Sequence, residues 1–224
     1  MKTQNHSTNR RNFLRISGLG ALGLGLSAVP FSGEAAIAII PDDAKNRNII
    51  GPKEGYSPQI GTLVSMMTWM REVMLMSVQK MPQQDLDFLF DAKANTIGAM
   101  LMHLAATERF YQIHTLEGKK WGDWSDADKQ KWTAASQLGD LGRQQIKGHD
   151  LNYYLDNLKD VREHTLTEFK KRDDSWLMTV DNDWPWGPTN NYCKWFHVCE
   201  HESNHNGQIK WLKSRLPGAK SGGE

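Results

Sequence analysis

Apolar residues recur at intervals of three and four along four long stretches of the chain, which is the pattern of amphipathic helices. The stretches cover about residues 57–81, 95–114, 150–171 and 189–216. The first ends at Pro82, which cannot continue a helix, and Thr96 offers a capping side chain to the second. Four long helices with no strand-rich region between them predict an all-α fold, a four-helix bundle with long connecting loops.

The connections between these helices carry their own signals. A short helix with Ser125 as its cap is predicted, followed by a loop that glycines at 139, 142 and 148 indicate. Residues 173–191 hold three tryptophans together with prolines and a glycine, a composition that ends helices and is compatible with a hairpin. The methionines of the first helix follow its apolar stripe, and this spacing favours core packing over a soft-metal site.

The amino terminus predicts an export signal. Its first fifteen residues carry four bases and no acid, and an uncharged, glycine-rich apolar stretch follows over residues 16–31. The pair at positions 10–11 resembles a twin-arginine signal, and the small residues at 36–38 offer a cleavage site. We therefore expect a bacterial periplasmic protein, or one on the outer face of the cytoplasmic membrane if the signal is retained.

The expected domains follow from these signals. They are a signal peptide at 1–38, an extended arm at 39–56, the bundle at 57–216 and a flexible tail at 217–224. Cys193 and Cys199 lie six residues apart, about 9 Å along a helix, which predicts two free thiols.

The composition of the chain argues against two classes of binding partner. The 27 basic residues nearly balance the 26 acidic ones and the mean hydropathy is −0.61, which argues against nucleic acid binding and against a membrane-embedded bundle. Once the signal is removed, no stable membrane insertion is expected. The expected partner is a small-molecule substrate of unknown identity, and a homodimer is left open.

Three histidines lie within the last predicted helix. His197, His201 and His205 are spaced by four, and two imidazoles at that spacing project from one side of a helix and can share a metal ion. All three cannot bind one ion because about 12 Å of helix separates the outer two, and spacing alone does not choose between the pairs. The best third ligand is His103, which lies within the uncharged stretch 94–107 of another helix. Three imidazoles leave one coordination position open, as in catalytic sites.

The string 201–205 also spells H-E-x-x-H, in which two histidines bind zinc and the glutamate is the general base of a peptidase. The extended form of that motif needs a third histidine, but Trp211 stands at the corresponding position. A zinc peptidase is therefore the less favoured interpretation.

Two groups of residues resemble the DinB/YfiT-like family. Residues 96–98 (Thr-Ile-Gly), residues 103–105 (His-Leu-Ala) and Glu108 are similar to the second helix of that family. Residues 201–208 are similar to its last helix, which typically reads H-x-x-x-H-R-G-Q, although Asn206 replaces the arginine and so argues against an anionic group beside the site. The resemblance covers roughly residues 57–216. It implies a bundle in up-down-down-up order with a divalent metal, often zinc or nickel, on His103, His201 and His205.

The resemblance also implies a range of reactions, because members of the family include transferases and isomerases that use thiols such as mycothiol or bacillithiol. An exported protein leaves those reduced cytosolic thiols behind, so the resemblance supports metal chemistry more strongly than thiol transfer. The expected activity is that of a metal-dependent hydrolase or a thiol-type transferase. The metal would lower the pKa of a bound water or bind a substrate thiolate, while Glu202 moves protons or hydrogen-bonds a ligand imidazole. The alternative from another class is a non-catalytic metal-binding protein in which His197 or Cys193 supplies a fourth ligand.

Overall fold

The computed structural model describes residues 46–219, and the predicted export signal, its cleavage site and the end of the tail lie outside them. In chain order the elements are α1 Pro58–Val78, α2 Gln83–Leu86, α3 Ile97–Tyr111, α4 Asp126–Gln137, α5 Gly139–Gln145, α6 Leu151–Phe169, α7 Asp174–Met178, β1 Val180–Asp181, β2 Thr189–Asn190 and α8 Asn191–Lys213. A π-helical turn, Gln112–Leu116, continues α3. The predicted all-α bundle is therefore confirmed, with α1, α3, α6 and α8 as its long helices.

Polar side chains fix where the helices begin. The Thr96 hydroxyl accepts a hydrogen bond from the backbone of Ala99 at 3.0 Å, and Ser125 caps α4 in the same way at 3.1 Å. Asp150 caps α6 and Asn190 caps α8. Each of these bonds satisfies one of the amide groups that the first turn of a helix leaves without a partner. The predicted boundaries accordingly agree with the structure to within a few residues.

Contacts along the long helices give their directions. Three side-chain hydrogen bonds join Ser77 to Asn206 (2.7 Å), Tyr111 to His197 (2.9 Å) and Gln112 to Thr165 (2.9 Å). The first joins the ends of α1 and α8, which therefore run parallel. The second joins the end of α3 to the first half of α8, so these two are antiparallel, and the third makes α3 and α6 parallel. The order is up-down-down-up.

The core lies between the four long helices. Met67, Met70 and Met74 are buried on α1, which confirms that the methionine stripe packs in the interior. α3 and α6 approach closely at Gly98, where an added Cβ would lie 2.7 Å from the ring of Tyr154. Only glycine leaves room for that ring, so this position sets the spacing of the helices that carry one side of the site.

Two connections differ from the sequence expectation or refine it. The loop predicted from the glycines at 139 and 142 is wrong over residues 139–145, which form α5. Leu138 and Gly139 have positive φ (54° and 57°). This conformation, which glycine adopts readily, ends α4 and lets α5 begin at once, so no loop separates the two helices. In the segment 173–191, the strands β1 and β2 pair antiparallel and confirm the hairpin, with α7 preceding them.

Part of the expected amino-terminal arm packs against α1. The backbone amide of Gly51 donates to the hydroxyl of Ser65 at 3.1 Å, and Lys53 is buried. Within the described part of the chain, no helix combines the length and the apolarity needed to cross a bilayer.

Candidate metal centre

Three histidines from two helices meet at the edge of the bundle. His103 on α3 and His201 and His205 on α8 each present one imidazole nitrogen, and these three atoms lie within 4.8 Å of one another. Nε2 of His103 is 2.9 Å from Nε2 of His201, and the ring centroids of His103 and His205 are 4.9 Å apart. His205 is buried while the other two are half-buried. The structure thus brings together the three residues that the sequence proposed as ligands.

A carbonyl group on α4 orients the first of these rings. Nδ1 of His103 lies 2.8 Å from the backbone oxygen of Ala135. Because a carbonyl oxygen only accepts, Nδ1 carries the proton of this bond, and Nε2 of the neutral ring keeps its lone pair. That lone pair faces His201, which is the orientation that a metal ligand needs.

The surroundings keep the three rings uncharged. Burial lowers the pKa of His103, although the bond to Ala135 opposes the effect. Burial and then repulsion from His205 and His103 lower the pKa of His201 to about 3, and burial and then His103 lower the pKa of His205 to about 4. All three are therefore neutral near pH 7 and able to donate a lone pair to a cation.

His197 lies beside the cluster but has a different partner. Its Nδ1 is 2.9 Å from the hydroxyl of Tyr111, and its ring centroid is 5.1 Å from that of His201. Burial raises the pKa of Tyr111, with smaller contributions from Cys193 and Glu200, so the hydroxyl keeps its proton near pH 7 and forms a neutral hydrogen bond with this ring. Sequence spacing could not separate the two histidine pairs, whereas this hydrogen bond distinguishes them.

The remaining sequence candidates lie elsewhere. His149 stacks on Tyr153 with centroids 3.8 Å apart, and His164 is exposed on α6. Asn206 is buried and its side-chain oxygen accepts a hydrogen bond from Ser77 at 2.7 Å, so it lies in the contact between α1 and α8. The position that departs from the family pattern therefore points away from the three histidines.

Glu202 belongs to a buried group of four charges, one from each long helix: Arg71, Glu108, Arg162 and Glu202. Arg71 donates from Nε to Oε1 of Glu202 at 2.8 Å and from Nη2 to Oε2 of Glu108 at 2.9 Å. Arg162 donates from Nε to Oε1 of Glu108 at 2.8 Å and from Nη2 to Oε1 of Glu202 at 2.9 Å. We call this group the charge cluster. The second oxygen of Glu202, Oε2, is buried and has no hydrogen-bond partner among residues 46–219.

The charge cluster escaped the sequence analysis apart from its two acids. Burial alone would raise the pKa of Glu108, but Arg162 and Arg71 outweigh it and lower that pKa. A signal was present, because Arg71 and Arg162 occupy inward positions of their helices, beside Met70 and Val161. A charged residue at an inward position needs a partner of opposite sign. Two arginines and two glutamates at inward positions of four helices therefore predict that these side chains pair in the core.

An aromatic residue lies beside the three histidines, on the side of His197. Trp186 is 56% exposed and its ring centroid lies 5.3 Å from that of His197, so it forms a rim. Trp195, on α8, is fully buried in the core and does not contribute to this rim. The loop that carries Trp186 is held to α8 by Lys194, whose ammonium group lies 2.8 Å from Asp181.

The donor set fits a divalent cation. Imidazole nitrogens are ligands for zinc, copper, iron and nickel, and the three here are uncharged, convergent and drawn from two rigid helices. Among residues 46–219, no carboxylate or thiol joins the three rings. The arrangement therefore offers three protein ligands and leaves further positions to small molecules.

Comparisons with known proteins agree with this fold. The model of the mycothiol-S-transferase family matches residues 62–218. Two solved structures are similar: an uncharacterised protein from Clostridium difficile 630 (15% identity, TM-score 0.55, covering 70% of this chain and 97% of that one) and a protein from Streptococcus pneumoniae (14%, 0.53, 70% and 92%). No curated protein matches. Because the family model covers most of the chain, this protein belongs to the mycothiol-S-transferase family, one of the DinB/YfiT-like bundles.

Proposed function

We propose that this protein is an exported metalloenzyme that uses a divalent metal on His103, His201 and His205 to activate a thiol for transfer to a small-molecule acceptor. The observation that carries the proposal is the cluster of three uncharged imidazoles with no fourth protein ligand in the described chain. Three ligands and an open position are typical of catalytic sites, whereas structural sites are closed by four. Membership of the mycothiol-S-transferase family supports a thiol as the activated group.

The chemistry is divided between the metal and the chain. A divalent metal would lower the pKa of a thiol or a water that reaches the open position. Ala135 fixes the tautomer of His103, and burial keeps all three rings unprotonated. The ring of Trp186 contacts His197 beside the site. Zinc or nickel is the expected ion, since imidazole ligands suit both.

Glu202 has two candidate roles. As a general base it would accept a proton through Oε2, the oxygen to which no described residue donates a hydrogen bond. As a positioning residue it would hydrogen-bond a ligand imidazole instead. Its 1% exposure favours the second role, because a proton carrier has to reach the substrate. The variant Glu202→Gln separates the two roles. If Glu202 is the general base, the variant keeps its metal and loses activity. If Glu202 is a positioning residue, the variant binds the metal less tightly.

Two other functions are weaker. A non-catalytic closed site would need a fourth ligand, but among the described residues neither His197 nor Cys193 joins the group of three histidines, and Cys193 lies a further turn away on α8. Hydrolysis uses the same three ligands, and export would favour it because the reduced thiols of the cytosol are left behind. We therefore treat hydrolysis as the second reaction to be assayed.

The test begins with the metal. Native protein is purified from the exported fraction, its metals are measured by elemental analysis, and it is then assayed for thiol transfer and for hydrolysis with and without a chelator. We expect about one equivalent of zinc or nickel and a thiol-transfer activity that the chelator abolishes. His103→Ala serves as the matched inactive control.

Two results would contradict the proposal. Full transferase activity after complete removal of metal would exclude a metal mechanism. One tightly held metal without activity towards thiols, esters or amides, and without exchange of any exogenous ligand, would favour the non-catalytic class.

A further inference from the structure

The bundle leaves a gap between two of its long helices. Helix α1 packs against α8, and α3 packs against both α6 and α8, whereas α1 and α6 stand further apart. A cavity of about 350 Å³ lies between α1 and α6, and its volume is within the range of small-molecule sites. The three histidines belong to α3 and α8 and do not line it. A ligand of this cavity would therefore bind apart from the proposed metal centre.

The lining of this cavity has three parts, which are apolar walls, a buried floor of two arginines and an exposed charged rim. The walls are Leu75, Leu155 and Leu158, the floor is Arg71 and Arg162, and the rim is Asp156, Lys159 and Glu163. Leu75 and Leu155 are half-buried, so a ligand in the cavity would remove their remaining apolar surface from water. Such burial favours binding.

The two arginines of the floor bridge the gap between the helices. Arg71 of α1 donates from Nη1 to the backbone oxygen of Leu158 on α6 at 2.8 Å. Arg162 of α6 donates from Nη1 to the backbone oxygen of Met67 on α1 at 2.9 Å. Their remaining hydrogen bonds go to the carboxylates of the charge cluster. Both guanidinium groups are therefore held in place before any ligand arrives.

Some of the guanidinium hydrogens have no partner. A guanidinium group has five N–H donors. Arg71 makes four hydrogen bonds and Arg162 makes three with residues of the described chain, which leaves one donor of Arg71 and two of Arg162 without a partner there. Both side chains are 9% exposed and line the cavity, so a molecule within it can reach these donors. The floor thus offers hydrogen-bond donors and needs an acceptor.

The surrounding charges decide which acceptor fits. Glu108 and Glu202 already balance the two guanidinium groups, so a carboxylate at the floor would lose water without gaining a free countercharge. At the rim, Asp156 and Glu163 outnumber Lys159, which also disfavours an anion. An ammonium group only donates hydrogen bonds and would leave the arginine donors unpaired. A carbonyl oxygen accepts them without adding a charge.

We propose that the cavity between α1 and α6 binds an uncharged alkyl carbonyl compound, such as a ketone or an ester. Its carbonyl oxygen accepts hydrogen bonds from Arg71 and Arg162. Its alkyl chain lies along Leu75 and Leu155. The site depends neither on the metal nor on the reaction proposed above.

Three molecules of equal chain length serve as probes: 2-octanone (neutral carbonyl), octanoate (anionic) and octylammonium (cationic). Each is titrated into the purified protein. Calorimetry gives the affinity, and the NMR signals of the arginine side-chain N–H groups report contact with the floor. We expect 2-octanone to bind at least about tenfold more tightly than either ion and to shift the signals of Arg71 and Arg162.

Variants of the walls test the position of the ligand. Leu155→Trp places a larger side chain in the cavity and should weaken the binding of 2-octanone by at least about tenfold, whereas the matched control Leu155→Met conserves volume and should keep the affinity. Leu75→Phe blocks the cavity from the opposite wall and replaces Leu155→Trp if that variant does not fold. His103→Ala should bind 2-octanone as the wild type does, because the metal centre lies elsewhere.

Several results would overturn the proposal. Equal affinities for the three probes, or arginine signals that 2-octanone leaves unchanged, would show that the floor does not recognise a carbonyl group. Wild-type affinity in Leu155→Trp and Leu75→Phe, or lost affinity in His103→Ala, would place the ligand outside this cavity. Sedimentation tests the remaining occupant, a second copy of the chain: a wild-type dimer that Leu155→Trp converts into a monomer would make the cavity an interface between copies.

Discussion

The hydroxyl of Tyr111 lies 2.9 Å from Nδ1 of His197, and this contact distinguishes two histidine pairs that sequence spacing leaves equivalent. His197 and His201 are four residues apart, as are His201 and His205. Only the second pair converges with His103. The hydroxyl keeps the ring of His197 turned towards the end of α3, one turn away from the cluster.

Single ligand variants should therefore divide into two groups. His103→Ala, His201→Ala and His205→Ala should each weaken metal binding by about a hundredfold or more, because each loses a bond and the geometry of the set. His197→Ala should bind metal within about tenfold of the wild type. Competition with a chromophoric chelator gives the affinities.

Histidines outside the group of three provide the controls for that series. His164→Ala and His149→Ala should leave the metal affinity unchanged, since neither ring contacts the cluster. A loss of metal in His197→Ala with full retention in His205→Ala would place the site one turn earlier on α8. Full metal occupancy in His103→Ala would exclude a site between α3 and α8.

Breaking the charge cluster should lower stability strongly. Arg162→Met leaves Glu108 and Glu202 buried with one guanidinium between them, so we expect the free energy of unfolding of the metal-free protein to fall by about 3–5 kcal/mol. Glu163→Gln is the matched control on the same helix, because its pair with Lys159 is exposed and contributes about 0.5 kcal/mol or less. Urea denaturation followed by circular dichroism measures both. Similar losses in the two variants would contradict the assigned role of the cluster.

The same cluster should make stability depend on acid. The pKa of Glu108 is below its ordinary value of 4.5 in the folded protein, although burial opposes this, because Arg162 and Arg71 stabilise the ionised form. Its contribution is therefore complete above pH 4.5 and is lost as the pH falls through the lower, folded pKa. We expect the stability difference between wild type and Glu108→Gln to be constant above pH 4.5 and to shrink below it. Urea titrations at several pH values test this, and a constant difference down to pH 2.5 (about two units lower) would refute it.

The two thiols should differ in reactivity. Cys193 is exposed, whereas burial and then Glu202 raise the pKa of Cys199 to about 11. At pH 7 we expect iodoacetamide to modify Cys199 at least about a hundredfold more slowly than Cys193, because the thiolate is the reactive form. Mass spectrometry of timed samples gives both rates. In denaturant without reductant both residues should react fully, and a disulfide between them would be inconsistent with the helix α8.

Export is tested apart from the bundle. Fusing residues 1–45 to a reporter should export it by the twin-arginine route, and the double change Arg10→Lys with Arg11→Lys should block export. Arg15→Lys, outside the pair, is the control and should leave export intact. Reporter activity in the periplasmic fraction is the measurement, and unchanged export in the double variant would refute the assignment.

Local chemistry explains which features could be predicted from the sequence. Thr96, Ser125 and Asp150 cap the helices that they were expected to begin, because capping depends on neighbours within three residues. His103 and His201 belong to helices whose apolar spacing already indicated their inward faces, so the sequence could predict that the two side chains converge. The contacts that refine the site are not local: Ala135 lies 32 residues from His103, and Tyr111 lies 86 residues from His197. No spacing rule relates positions that only the folded bundle brings together.

The charge cluster also bears on how the bundle assembles. Because each long helix contributes one charge, any three of them docked together would hold two charges of one sign and one of the other. Such an intermediate would bury an uncompensated charge, so its core would remain open to water until the last helix arrived. The four helices should therefore fold in one cooperative step, and the paired histidines on α3 and α8 should meet only when that step is complete.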